Sequence, residues 1–150
     1  MKIVIAADHG GLEHKAVLLQ HITALGYRVT DLGGFIPSAD DYPDHAANVA
    51  HAILNSDAQR GILICGSGVG VSVAANKFKG IRAGVCHDTY SAHQCVEHDD
   101  VNVICLGQRV IGIELAKEIV QAFLAAAFTH EERHERRLAK IKAIEDNNMK

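Results

Sequence analysis

Apolar residues come along this chain in two rhythms. Short, nearly unbroken runs at Ile3 to Ala7, Tyr27 to Leu32, Gly61 to Ile64, Ile81 to Cys86 and Val101 to Leu106 read as strands. Runs without polar alternation are expected when both faces of a sheet are covered. Between them the apolar positions recur at helical spacing. Leu12 to Leu25 is a helical stretch that Gly26 stops, and Pro43 suits the first turn of the next helix. On that helix Ala46, Val49, Ala50, Ile53 and Leu54 fall on one face. The glycine loop Gly66–Gly70 leads into a helix from Val71 to Lys77, and Asp88 is placed to cap the helix after the fourth strand. Leu115, Ala116, Ile119, Val120 and Phe123 make the stripe of a later helix.

Regular strand–helix alternation predicts one α/β domain over residues 1–150. It is a three-layer α/β/α sandwich on a five-stranded, parallel, Rossmann-like sheet. Strand order is not readable from a single sequence. The end of the chain differs in character. Thr129 and Glu132 have capping-box spacing, and a charged, extended helix over about 130–147 follows, with a thin stripe of Leu138, Ile141 and Ile144. So polar a helix after a complete α/β unit is expected to dock on a second subunit.

Composition narrows the class. The chain has 150 residues, enough for a core without staples, with 48% hydrophobic and 22% charged residues. A formal charge of −3 favours neither nucleic acid nor an anionic membrane as partner. No apolar run approaches the ~20 residues of a spanning helix, and the start of the chain lacks the features of a signal peptide. Cys65, Cys86, Cys95 and Cys105 have no paired spacing, so free thiols and a cytoplasmic location are expected.

Ligands of open α/β sheets bind at the carboxyl ends of the strands. That edge collects Asp8-His9 and Cys65-Gly66-Ser67-Gly68-Val69-Gly70. The glycines let a ligand approach the backbone, and the next helix adds unpaired N–H groups, so the loop suits an anion. It is neither a dinucleotide G-x-G-x-x-G nor a phosphate-binding loop ending Gly-Lys-Ser/Thr. A C-x5-R phosphatase loop would need arginine where Val71 stands. What remains is a thiol touching an anion-stabilising loop. An isomerase that moves a proton between adjacent sugar carbons needs that pairing: a base for the proton and N–H donors for the enediolate. Burial as an inert core residue is the commoner fate of such a cysteine, but Cys65 ends its strand rather than lying inside it.

These residues resemble the ribose-5-phosphate isomerase B and galactose-6-phosphate isomerase family over essentially the whole chain. The resemblance rests on Ala7-Asp8-His9-Gly10-Gly11, Asp41-Tyr42-Pro43 and the block from Ile62 to Gly70, and continues through Ala74-Ala75-Asn76-Lys77, Ile81-Arg82-Ala83, Asn102-Val103 and Leu106-Gly107-Gln108-Arg109-Val110. It implies an aldose–ketose isomerase without cofactor or metal, acting on a phosphosugar. In the family a cysteine at the Cys65 position abstracts the substrate proton; a second branch places glutamate where this chain has Val71. The resemblance further implies ring opening by His98, a catalytic as well as a binding role for Ser67, substrate contacts from Asp8, His9, Asp99 and the glycine loop, and phosphate binding by Arg109, Arg133 and Arg137. It also implies a homodimer, or a tetramer, with the active site shared between subunits. Ribose 5-phosphate and ribulose 5-phosphate are the expected pair. Allose, galactose or tetrulose phosphates, and a non-catalytic phosphosugar-binding module, are the alternatives.

Two positions depart from the family pattern. Asp99 stands where the better-known ribose isomerases have asparagine, and a carboxylate accepts where an amide donates. Ser67 stands for a more usual threonine and keeps the hydroxyl. The i,i+4 pair His130 and His134 has metal-ligand spacing but no third ligand in view, so a solvated helix face is expected. His14, His21, His45, His51 and His93 are expected to be exposed or half-buried without a role.

Overall fold

The most apolar runs of the sequence become the centre of the sheet. A computed structural model describes residues 1–33 and 40–149. Its strands are β1 (Lys2–Ala7), β2 (Arg28–Asp31), β3 (Arg60–Cys65), β4 (Ala83–Val85) and β5 (Val103–Gly107), all parallel, in the order β2-β1-β3-β5-β4. The helices are α1 (Leu12–Ala24), α2 (Tyr42–Leu54), α3 (Val69–Ala75), α4 (Thr89–Asp99), α5 (Ile113–Ala125) and α6 (Glu132–Asn148). Much of the expected loop from Gly33 to Tyr42 lies outside the described residues.

The side-chain period of two divides each central strand between two cores. Ile3, Ile5, Ile62, Ile64, Ile104 and Leu106 face α1, α4 and α5. Val4, Ala6, Leu63, Cys65, Val103 and Cys105 face α2 and α3. Parallel crossovers are right-handed, so the direction of each crossover decides the face its helix covers. β1 to β2 and β4 to β5 run one way across the sheet; β2 to β3 and β3 to β4 run the other. Chain segments leaving the neighbours β1 and β3 therefore part to opposite faces and open a crevice between them, the usual place for a ligand. Register sets the strand ends level there, with Ala7 opposite Ile64 and Cys65 opposite Gly107.

Several expected details shift. Helix α3 begins at Val69 rather than Val71, because Gly68 takes a left-handed N-cap conformation, φ +79°, and ends the loop early. Gly70 is thus in the first helical turn. Leu54 and Leu115 are exposed rather than in their stripes. The Thr129/Glu132 capping box does not form. His130 turns the chain at φ +57°, Glu131 becomes the N-cap, and the Thr129 hydroxyl instead accepts from Glu131 N–H and bonds His134. Helix α6 therefore starts two residues later than expected. It rests on its own chain through His134 and Leu138, and Gly80 N–H donates to Glu145 at 2.8 Å. Ile141 and Ile144 remain exposed.

Candidate active site

At the carboxyl edge a cleft of about 350 Å³ is lined by Asp8, Tyr42, Cys65, Gly66, Ser67, Gly70, Arg109 and Val110. Cys65 is 5% exposed, and its Sγ accepts a hydrogen bond from Gly68 N–H at 3.1 Å. The sulfur thus takes a backbone donor where it borders the cleft. Gly68 can offer that N–H only as glycine: a Cβ there would come 2.9 Å from the Leu106 carbonyl carbon. The hydroxyl of Ser67 accepts from Val69 N–H at 3.2 Å and stands at the exposed rim. Tyr42 opens α2 and lays its ring on Gly70, where a Cβ would be 2.9 Å from ring carbons.

The β1 and β5 ends complete this wall. Asp8 is buried, and one carboxylate oxygen accepts from Gly10 N–H at 2.9 Å, which fixes the turn. Arg109 donates its backbone N–H to Gly66 O at 3.0 Å and folds its side chain over Gly66. Its guanidinium has no hydrogen-bond partner among the described residues. His9 lies at the margin, 62% exposed, with Nδ1 3.5 Å from the buried Asp40 carboxylate, which also binds His45.

The other expected site residues gather elsewhere. Helix α4 runs back along the strands, and its 11 residues cover about 16 Å. Its start, at Asp88, is beside the carboxyl edge; Asp88 accepts from Ser91 N–H at 2.6 Å, the cap the sequence implied. His98 and Asp99 are at its far end, on the opposite edge of the sheet. There Arg82, just ahead of β4, donates to the Asp99 and Asp100 carbonyls at 3.2 and 2.8 Å. His98 stacks on His134, ring centroids 4.0 Å apart and 26° between planes. Arg133 donates to His134 Nε2 at 3.3 Å and pairs with Glu131 at 2.9 Å. The Asp99 carboxylate and the Arg137 guanidinium have no hydrogen-bond partner among the described residues. Cys65 and His98 of one chain therefore lie at opposite edges.

His134 is a correction to the sequence reading. It is 2% exposed, not on a solvated face. Burial lowers its pKa, and the charges of His98, Arg133 and Arg137 act in the same direction. Because its Nε2 accepts from Arg133, its proton sits on Nδ1, toward Thr129. His14 and His45 are buried as well: His14 bonds Ile111 O at 2.8 Å and takes the Gln108 side chain on its backbone N–H. His87 accepts the Gly107 N–H at 2.9 Å and so fixes the end of β5; burial lowers its pKa. Tyr42 and Val110 also line the cleft without having been singled out, although both belong to motifs of the family resemblance.

The family model described as Ribose/Galactose Isomerase matches residues 3–141. The chain belongs to the ribose/galactose isomerase family. It is an isomerase of the ribose-5-phosphate isomerase B type. Within the family it is 46% identical to ribose-5-phosphate isomerase B of Escherichia coli, over 96% of each chain. It is 45% identical to D-erythrulose-4-phosphate isomerase of Pectobacterium atrosepticum, over 85% of each. Its fold superposes on ribose-5-phosphate isomerase B of Clostridium thermocellum with a TM-score of 0.93 at 44% identity, covering 98% of this chain and 99% of that one. No helix among the described residues is long and apolar enough to cross a membrane.

Proposed function

We propose that the protein interconverts D-ribose 5-phosphate and D-ribulose 5-phosphate by proton transfer through a cis-enediolate, with the Cys65 thiolate as base. The thiolate takes the C2 proton of the open-chain aldose. The C–H electron pair becomes the C1–C2 double bond, and charge moves onto O1, to be met by loop N–H groups other than those of Gly68 and Val69, which bind Cys65 and Ser67. Return of the proton to C1, with the O2 hydroxyl proton passing to O1 as the C2 carbonyl forms, completes the ketose. No step needs a metal or cofactor. The observation that carries this reading is the Gly68 N–H directed at a sulfur that borders the cleft.

Ring opening is assigned to His98, and phosphate binding to Arg109 with Arg133 and Arg137. The separation of Cys65 from His98 supports a site built from two copies. A second chain supplies His98, Asp99, Arg133 and Arg137 to the cleft of the first, in a homodimer whose two sites are equivalent. Ile141 and Ile144, exposed on α6, give that partner an apolar contact.

Incubation in heavy water tests the base. Wild type is expected to place solvent deuterium on the exchanged carbon, and Cys65→Ala to lose exchange and turnover together. Full turnover in Cys65→Ala removes the assignment. The Asp99 carboxylate, without a hydrogen-bond partner among the described residues, and the erythrulose-phosphate relative favour a second reading, a four-carbon substrate. Side-by-side kinetics on tetrose, pentose and hexose phosphates, with wild type and Asp99→Asn, decide between the two.

A further inference from the structure

One contact at the far end of α4 bears on how His98 works. Gln94, one turn before it, places its amide Nε2 2.9 Å from His98 Nδ1. An amide nitrogen only donates, so Nδ1 is the acceptor. The ring is held in two further ways. His134 covers one face at 4.0 Å, and His134 is itself fixed by Thr129 on Nδ1 and Arg133 on Nε2. The remaining nitrogen, Nε2 of His98, has no hydrogen-bond partner among the described residues. His134 stacks on the ring, and the charged groups acting on His134 are Arg133, Glu131 and Arg137; Asp99 is next to His98 in sequence.

We propose that Gln94 is a positioning residue for His98. Its amide occupies Nδ1, so neutral His98 carries its proton on Nε2 and offers the substrate a donor rather than a lone pair. The inference rests on the reading of His98 as the ring-opening group. A donor is what the ring oxygen of a furanose needs as the bond from C1 to that oxygen lengthens. A neutral imidazole can serve as such an electrophile. A carboxylate at position 94 would reverse the arrangement, because it accepts only and pulls a proton onto Nδ1.

The test is nitrogen-15 NMR of histidine-labelled protein at pH 7, paired with kinetics. Wild type is expected to show His98 with an unprotonated Nδ1 and a protonated Nε2, and Gln94→Glu to show a protonated Nδ1. Ribulose 5-phosphate is the kinetic control. Its O5 carries the phosphate, so it cannot close a furanose, and exchange of its C1 hydrogens with solvent needs no ring opening. Gln94→Glu is expected to slow turnover of ribose 5-phosphate at least ~10-fold, short of the ~10²–10⁴-fold that a positioned acid–base group supplies. C1 exchange from ribulose 5-phosphate is expected to hold within about 2-fold, since no general acid–base step on the ring is involved. A wild-type His98 protonated on Nδ1, or equal slowing of both reactions, overturns the proposal. Unchanged ribose 5-phosphate turnover in His98→Ala would instead overturn the ring-opening role, and the tautomer signature tells that result apart.

Discussion

Replacing Gly68 by alanine strikes backbone conformation, packing and chemistry at one atom. Left-handed φ costs an L-residue roughly 1–2 kcal/mol, partly offset by the ~0.4–1 kcal/mol that alanine gains by restricting the unfolded chain. Gly26, at φ +94° with nothing within 4 Å of an added Cβ, isolates that backbone cost. Gly26→Ala is therefore expected to cost about 1 kcal/mol. At Gly68 the new methyl would sit 2.9 Å from Leu106 C and 3.2 Å from Gly107 N, both main-chain atoms that cannot swing aside. Overpacking of that kind adds roughly 1–3 kcal/mol. At ~2–4 °C per kcal/mol for a chain of this size, Gly26→Ala should lower Tm by about 2–4 °C and Gly68→Ala by about 4–16 °C. The same shift moves the N–H off Cys65 Sγ. Loss of one such donor costs on the order of 10²-fold or more in kcat, whereas Gly26→Ala should leave kcat unchanged. Thermal unfolding by circular dichroism and isomerisation of ribose 5-phosphate at 25 °C read the two effects. Equal Tm losses in the two variants, with full turnover in Gly68→Ala, would refute the reasoning.

Two further outcomes are expected. The folded pKa values of His87 and His134 lie below the ordinary value near ~6.5, so below that pH the unfolded chain binds protons that the fold does not. Stability should be flat above about pH 7.5 and fall from about 6.5 downward, and Asp88, held low by Ser91 N–H, adds its loss only below about 4. His87→Gln, which still accepts from Gly107, should flatten the slope of Tm between pH 7 and 5; a slope unchanged in the variant contradicts the assignment. Arg109→Ala should lower kcat/KM for sugar phosphates about 10–10²-fold, mainly through KM, since a hydrogen bond to a charged group contributes roughly 1.5–3 kcal/mol. An unchanged KM would remove Arg109 from phosphate binding.

How much of this was legible in the sequence depended on whether a signal was local. The unbroken apolar runs located β1, β3 and β5, because both faces of those strands are covered. Asp88 announced its cap and Pro43 its helix start, since each acts within one turn. Cys65, Asp8 and Arg109 converge because register levels three adjacent strand ends, and motifs at strand ends inherit that alignment. Strand order was hidden, because nothing within β4 states that β5 will insert between it and β3. The Thr129 box failed through one positive φ at His130, which residue type alone does not announce. His134 looked solvated because its helix is charged, and only the packing of α6 on α4 buries it. The separation of Cys65 from His98 comes from α4 running antiparallel to the strands, which no local signal states; a site split between two chains was implied only by the family resemblance.

That split also supplies the most direct test of the account. Cys65→Ala and His98→Ala, each inactive alone, should complement when their subunits are mixed and exchanged. Each hybrid dimer then holds one site with both substitutions and one with neither, so about a quarter of wild-type activity should return at equal mixing. Hybrid dimers that form, as native mass spectrometry would show, yet stay inactive would contradict a site built from Cys65 of one copy and His98 of the other.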